Sequence, residues 1–135
     1  MLERNFRINV KGLLYLARKL APDMIRTGAG GILVTVNTSS IRGKADFAGF
    51  APTKAAQRIL AESMARDLGP KGIHVAYILI DAVIDAPRMR ARLSYAPRRF
   101  LHQAGRNRKR AVAHLRSRSF GMAIPQRIAS FGEQW

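Results

Sequence analysis

Apolar residues recur every three or four positions over the first 24 residues of the chain. The stripe consists of Phe6, Val10, Leu13, Leu14, Ala17, Leu20 and Met24. This spacing places the apolar side chains on one face and predicts an amphipathic helix over residues 3–24. The glycine-rich stretch at 28–31 predicts a turn after that helix.

Two apolar runs predict buried strands on either side of a second helix. The first run is Ile32–Val36, and the second is Ile73–Ile80, which is apolar at nearly every position. Residues 52–68 between them predict a helix, which the Gly-Pro-Lys-Gly stretch at 69–72 ends. A strand, a helix and a strand with short connections predict a parallel βαβ unit.

The order helix, strand, helix, strand predicts an α/β fold, in particular part of a doubly wound, Rossmann-like parallel sheet. Two strands cannot cover helices that bury a full apolar stripe, so the sheet needs more strands than this pattern supplies. We therefore expect residues 1–87 to be a fragment of a larger domain.

The net charge of +16 is unevenly distributed along the 135 residues. Residues 87–135 hold twelve of the 24 Lys and Arg residues but one of the eight acidic residues. A segment so rich in unpaired cations predicts a basic, poorly ordered extension over residues 88–135. Its alternative interpretation is a nucleic-acid-binding tail, which we consider the weaker one. The abrupt change near Pro87 also raises the hypothesis of a shifted reading frame.

Several classes of function are excluded or disfavoured by residue usage. The chain has no cysteine, so disulfides and thiolate chemistry are ruled out. The histidines at 74, 102 and 114 lack metal-ligand spacing, so we expect no metal site. No apolar run is long enough for a membrane span and the N-terminus does not resemble a secretory signal, so we expect a cytoplasmic protein.

Four segments occur in the order and spacing of a known family. They are Asn9-Val-Lys-Gly12, Gly30–Val36, Phe50-Ala-Pro-Thr-Lys54-Ala-Ala and Ser63–Val75. Together they resemble the C-terminal half of short-chain dehydrogenases/reductases, over roughly residues 3–90. The resemblance implies a truncated member of that family, in a branch with Phe at the usual tyrosine position.

In that family a Tyr-x-x-x-Lys pair on one helix face transfers a proton while a nicotinamide cofactor carries the hydride. The resemblance assigns the family's lysine to Lys54, which also holds the cofactor ribose, and its relay asparagine to Asn9. The tyrosine position is Phe50, whose ring has no proton to donate.

The family's serine, which polarises the substrate carbonyl, has two candidate positions here. The usual spacing of the family reaches Asn37, whereas Ser40 would fill the role if the loop were shorter; we favour Asn37 and keep Ser40 as the alternative. The resemblance further places cofactor contacts at Ala82 and Val83, where many relatives have Pro-Gly and a later Thr. The alanines at 82 and 86 put those contacts in question.

The resemblance implies an NAD- or NADP-dependent oxidoreductase acting on a carbonyl or alcohol. We expect this isolated chain to be inactive, because the Gly-rich cofactor loop and the catalytic tyrosine are both missing. Whether the chain is an enzyme therefore stays open. The alternative is a non-catalytic subunit that forms a homo-oligomer or joins related chains through helices 3–24 and 52–68. The substrate and the choice between NAD and NADP are not encoded in these residues.

Two further motifs are expected to have no catalytic or cofactor-binding role. Tyr15 and Lys19 match Tyr-x-x-x-Lys literally, but they lie mid-helix, where an interface aromatic and a solvated cation are the usual occupants. The glycines at 28–31 lie between a helix and a strand. A dinucleotide cradle needs the reverse order, so this stretch predicts a turn only.

Overall fold

The computed structural model describes residues 1–81, 83–84, 87–92, 101–102 and 126–129. The helices are α1 (Leu2–Phe6), α2 (Gly12–Thr27), α3 (Ala51–Leu68) and α4 (Pro87–Arg92). The strands are β1 (Gly30–Asn37), β2 (Ile73–Asp81), β3 (Val83–Ile84), β4 (Leu101–His102) and β5 (Gln126–Ala129). Short 3₁₀ turns at Thr38–Ser40 and Gly69–Lys71 follow β1 and α3.

The predicted first helix is a single helical run that contains one wider turn. A π-helical turn at Arg7–Lys11 joins α1 to α2, and the backbone angles at both junctions stay in the right-handed helical region. Such turns insert an extra residue into the helix and often mark functional positions. Asn9 lies at the centre of this one.

The sheet is built on a parallel β1–β2 pair in continuous register from Gly30↔Ile73 to Asn37↔Ile80. Strand β5 pairs parallel with β2 on its other edge, which gives the order β1-β2-β5. Strands β3 and β4 form a separate parallel pair. The predicted Rossmann-like α/β architecture is therefore confirmed.

Helices α2 and α3 cover one face of the β1–β2 pair. Side chains alternate across a strand, so every second residue of each strand faces these helices. The buried core residues are Ala17, Ala21, Val34, Val36, Ala61, Met64, Leu68, Ile73, Val75, Tyr77 and Leu79. The small alanines of α2 and α3 allow both helices to approach the strands closely.

The sequence pattern located both long helices and both central strands to within a few residues. It predicted no element after Ile80, whereas the structure adds α4 and strands β3, β4 and β5. Most of the extension at 88–135 lies outside the described residues, so its predicted disorder stays a prediction. Among the described helices, none combines the length and apolarity that crossing a membrane requires.

Two glycines adopt left-handed backbone conformations where the chain reverses direction. Gly28 ends α2 with φ 66°, and its amide donates to the carbonyl of Ile25. Gly72 precedes β2 with φ 82°. A Cβ atom on Gly72 would lie 2.5 Å from the carbonyl oxygen of Gly28, so the two turns pack backbone against backbone. Their contact brings the starts of β1 and β2 together.

Replacing Gly72 by Ala should destabilise the fold by about 1–3 kcal/mol, because a side chain there strains φ and meets a backbone oxygen. Gly43→Ala is the matched control, since a Cβ at Gly43 meets nothing within 4 Å. Urea unfolding monitored by circular dichroism measures both. Equal midpoints for the two variants would show that the Gly28–Gly72 contact is unimportant.

Candidate functional site

Helix α3 carries the two central candidates at its start. Phe50 precedes the helix, and Lys54 lies one turn later. The ammonium nitrogen of Lys54 lies 5.7 Å from the centroid of the Phe50 ring and donates to Gln57 Oε1 at 2.9 Å. Burial lowers the pKa of Lys54 below its ordinary value. Lys54 is thus partly desolvated, with an aromatic face on one side and a single amide acceptor on the other.

Thr53 links Asn9 to the start of α3. Its side chain is fully buried, and Thr53 Oγ1 donates to the carbonyl oxygen of Phe50 at 2.7 Å. The same oxygen accepts a hydrogen bond from Asn9 Nδ2 at 3.0 Å. The π turn is therefore fixed to α3 beside Phe50. A second bond, from Asn5 Nδ2 to the carbonyl of Gly49 at 2.7 Å, supports the same contact.

Asn37 ends β1, and the 3₁₀ turn that follows folds back onto it. Ser40 is 1% exposed, and its hydroxyl donates to the carbonyl oxygen of Asn37 at 2.8 Å. Tyr77 of β2 donates its phenol proton to Ser40 Oγ at 2.6 Å. Burial raises the pKa of Tyr77, which the bond to Ser40 partly offsets. The side-chain oxygen of Asn37 is buried and has no partner in the described part of the chain.

Helix α3 is the element that the candidate segments share. It contacts the π turn that holds Asn9, and also the 3₁₀ turn that follows Asn37. From α3, Arg58 Nε donates to the carbonyl of Ser40 at 3.4 Å and its guanidinium pairs with Glu62. Two predicted residues remain. Ala82 lies outside the described residues, and Val83 is described only as part of β3.

Sequence reasoning missed four residues of this network: Thr53, Gln57, Arg58 and Tyr77. Gln57 lies three residues after Lys54, and Thr53 lies three residues after Phe50. This spacing carried a usable signal, because residues three or four apart share a helix face. Arg58 and Tyr77 reach Ser40 across 18 and 37 positions in the chain. No local pattern identifies such contacts.

The Tyr15–Lys19 pair and the glycines at 28–31 lie on the surface of α2 and in the turn after it. Tyr15 is 63% exposed, and Lys19 lies over its ring at 5.8 Å, on the surface of α2. The glycines at 28–31 form the turn from α2 into β1. Within the described residues, no three His, Asp or Glu side chains lie together as a metal site would require.

The arrangement offers hydrogen-bond and charge chemistry but no phenol proton at position 50. Lys54 keeps ammonium protons beyond the one given to Gln57, and these fit the hydroxyls of a nucleotide ribose. Asn37 presents a buried amide oxygen that could accept a hydrogen bond from a hydroxyl or amide group. A nicotinamide cofactor bound here would supply the hydride chemistry.

The βαβ unit β1-α3-β2 carries Lys54 in the first turn of its helix, and Asn9 of the π turn is hydrogen-bonded to that turn through Thr53. A family model for short chain dehydrogenases matches residues 1–94. The chain belongs to the short-chain dehydrogenase/reductase family.

Individual relatives agree with this assignment. L-rhamnose 1-dehydrogenase (NAD(P)(+)) of a Sphingomonas species is 32% identical over 85 residues, which are 62% of this chain and 34% of that protein. D-erythrulose reductase of Gallus gallus is 36% identical over 74 residues, 54% of this chain and 30% of that protein. The chain thus spans about a third of the length of these curated relatives.

Solved structures show the same fold. A short-chain dehydrogenase from Rhodopseudomonas palustris is 32% identical with a TM-score of 0.56, over 76% of this chain and 50% of that one. A 7α-hydroxysteroid dehydrogenase complexed with NADH and 7-oxo glycochenodeoxycholic acid is 24% identical with a TM-score of 0.73, over 99% of this chain and 56% of that one.

The burial of Lys54 predicts a pH dependence of stability. Because the pKa of Lys54 is lower in the folded chain than in the unfolded one, the unfolded chain binds more protons in between. The free energy of unfolding contributed by Lys54 is therefore largest above the unfolded pKa and is lost as pH falls through the folded pKa. Lys54→Met should lack this contribution.

The measurement is urea unfolding of the parent chain and of Lys54→Met across the alkaline range. The difference between the two isolates Lys54 from the other groups that titrate there. Lys71→Met is the control, because Lys71 lies in an exposed pair with Asp67. A difference between parent and Lys54→Met that stays constant with pH contradicts the assignment.

Proposed function

We propose that this chain contributes the substrate-side half of an NAD(P)-dependent carbonyl or alcohol oxidoreductase, and that residues 1–135 alone do not turn over. The observation that carries this proposal is the cluster at the start of α3. There Lys54 and Asn9 lie on either side of Thr53 and Phe50, where the family has its proton-transfer group. In this proposal Asn37 polarises the substrate oxygen, and the domain extends over residues 1–87.

The choice of Asn37 over Ser40 is supported by hydrogen bonding. The hydroxyl of Ser40 donates to a backbone carbonyl, accepts from Tyr77 and is buried, so little of its capacity remains for a substrate. The side-chain oxygen of Asn37 has no described partner. An amide can donate through nitrogen and accept through oxygen, which suits either a carbonyl or an alcohol.

Phe50 supplies no acid/base group, but its ring contacts Lys54. Its ring packs under the Lys54 ammonium and edge-on to Phe47, with 6.0 Å between the two ring centroids. A cation over an aromatic face is favourable, so the ring holds the ammonium without supplying a proton. Proton transfer would then need a different group from the one the family uses.

Cofactor binding by residues 1–135 should be undetectable in calorimetry with NAD, NADH, NADP or NADPH. Lys54 offers one charge-assisted contact to the ribose, of about 1.5–3 kcal/mol, whereas even a millimolar dissociation constant requires about 4 kcal/mol after ordering costs. The glycine turn at 28–31 lies between a helix and a strand and provides no phosphate cradle. A clear signal at micromolar cofactor would contradict this expectation.

Phe50→Tyr tests the site itself. In residues 1–135 the variant should remain inactive, because the positioning of the hydride donor contributes on the order of 7–11 kcal/mol and is missing. Joining the N-terminal half of a close relative ahead of Leu2 should restore cofactor binding. Phe50→Tyr should then raise turnover in that chimera, by about 10²–10⁴-fold for a general acid.

Nicotinamide absorbance with a panel of carbonyls and alcohols measures this turnover. Phe47→Tyr is the matched control, since it adds the same hydroxyl next to Phe50 but outside the Lys54 helix face. A chimera that binds cofactor yet shows the same rate with Phe50 and with Tyr at that position would refute the assignment of Phe50. Turnover by Phe50→Tyr without the added half would refute the claim that the site is incomplete.

The exposed apolar side chains of the helices favour a second candidate function, a non-catalytic subunit. Leu14, Leu16, Leu20 and Ile25 of α2 and Ile59 of α3 are all exposed, and α1 adds Leu2 and Phe6. Contiguous exposed apolar surface is typical of interfaces between chains. In this second proposal, α2 and α3 pair with another copy or with a related chain.

Leu16→Glu should shift the chain to a smaller species in sedimentation or light scattering if α2 forms such an interface. Placing a carboxylate in an apolar contact costs several kcal/mol unless it is paired. Ile41→Glu is the control, because Ile41 is similarly exposed but lies in the loop after β1. A monomeric parent chain, or equal effects of the two variants, would exclude the α2 interface in homo-oligomers.

A further inference from the structure

Ser40 joins three elements through buried hydrogen bonds. Its hydroxyl has a single proton, which goes to the Asn37 carbonyl. Tyr77 must therefore be the donor in the 2.6 Å contact between the two hydroxyls. Since Tyr77 lies on β2 opposite Val34 of β1, its phenol reaches past the strand pair to the turn that follows β1.

Both hydroxyls are shielded from water. Ser40 is 1% exposed and Tyr77 is 7% exposed. A hydrogen bond in such surroundings cannot be exchanged for one to solvent without opening the structure. The bonds from Tyr77 to Ser40 and from Ser40 to Asn37 therefore act as fixed constraints on the turn.

The hydrogen bond from Ser40 holds the backbone of Asn37 and leaves its side-chain oxygen without a described partner. Asn37 has an extended backbone (φ −113°, ψ 176°), and its carbonyl is held by Ser40. Its side-chain oxygen is buried without a described partner. Nothing described on the side chain itself fixes where that oxygen lies, so its position depends on the backbone that Ser40 holds.

We propose that Tyr77 is a positioning residue that fixes Asn37 through Ser40. The inference rests on the proposed role of Asn37 toward the substrate oxygen, but its geometry is independent of cofactor and substrate. Arg58 makes a second and longer contact, from α3 to the Ser40 carbonyl. Tyr77 supplies the shorter bond, from within the sheet.

The test uses Tyr77→Phe in the full chain, with Ser40→Ala as the second variant and Tyr15→Phe as the matched control. Each substitution removes one hydroxyl group, and Tyr15 is exposed on α2. One measurement is the side-chain amide signal of Asn37 in a spectrum of ¹⁵N-asparagine-labelled protein. The other is hydrogen exchange of the Ile41 and Arg42 amides, which both donate to the Thr38 carbonyl in this turn.

Tyr77→Phe should shift or broaden the Asn37 signal and accelerate exchange in the turn by at least about tenfold, the size expected for loss of one buried hydrogen bond. The Asn9 signal and the exchange of α3 amides should stay unchanged. Combining Tyr77→Phe with Ser40→Ala should add nothing to the larger single effect, because both remove the same link. Tyr15→Phe should change none of these signals.

Two results would overturn the proposal. Unchanged Asn37 and turn signals in Tyr77→Phe would show that Arg58 and the turn itself suffice. Hydrogen exchange accelerated equally across α3 and the turn would show that Tyr77 stabilises the whole fold rather than Asn37. If Tyr77→Phe does not fold, Ser40→Ala must show the local effect. Because no cofactor is present, failure of the proposed function would appear in the turnover and binding assays and not in these signals.

Discussion

Helix α3 packs on the β1–β2 pair through Ala61, Met64 and Leu68, and this packing determines where its first turn lies. From that turn the fully buried hydroxyl of Thr53 binds Asn9 and the Phe50 carbonyl together. A buried hydroxyl that lost either partner would cost about 1–3 kcal/mol, so the two bonds reinforce each other. The two bonds therefore join the π turn to the first turn of α3, which carries Lys54.

Phe50 places an aromatic ring without an ionisable group just before α3. An aromatic ring at this position supports the Lys54 ammonium from below, as the 5.7 Å separation shows. It supplies no proton, so Lys54 has no phenol whose pKa it could lower. If Phe50 and Lys54 correspond to the family's Tyr-Lys pair, as proposed, the ring would still hold the cation, and proton transfer would require another group.

The local parts of this structure could be predicted from sequence, and the long-range parts could not. Helical and strand periodicities located α2, α3, β1 and β2. Burial does not explain the whole pattern, because Phe6, Leu14 and Leu20 of the predicted apolar stripe are exposed. The bond from Tyr77 to Ser40 depends on the register of β1 and β2, which no sequence pattern predicts. The π turn at Asn9 was missed because a single inserted residue hardly disturbs an apolar stripe. Strand β5 was missed because a four-residue strand in a basic segment carries almost no periodic signal.

Two polar groups of the site are desolvated without a compensating contribution to folding stability from the described contacts. Lys54 is desolvated enough to lower its pKa, and the buried oxygen of Asn37 has no described partner. Apolar packing around Phe50 requires neither group, and buried polar atoms without partners are rare in folded chains. Departures from local optimisation of this kind concentrate where a protein binds something else. The ammonium and the amide oxygen are complementary in hydrogen bonding to a hydroxyl-bearing ligand, since one donates and the other accepts. Under the proposed assignment, these two groups would form the part of an oxidoreductase site that recognises the ligand, and proton transfer would need a group other than Phe50.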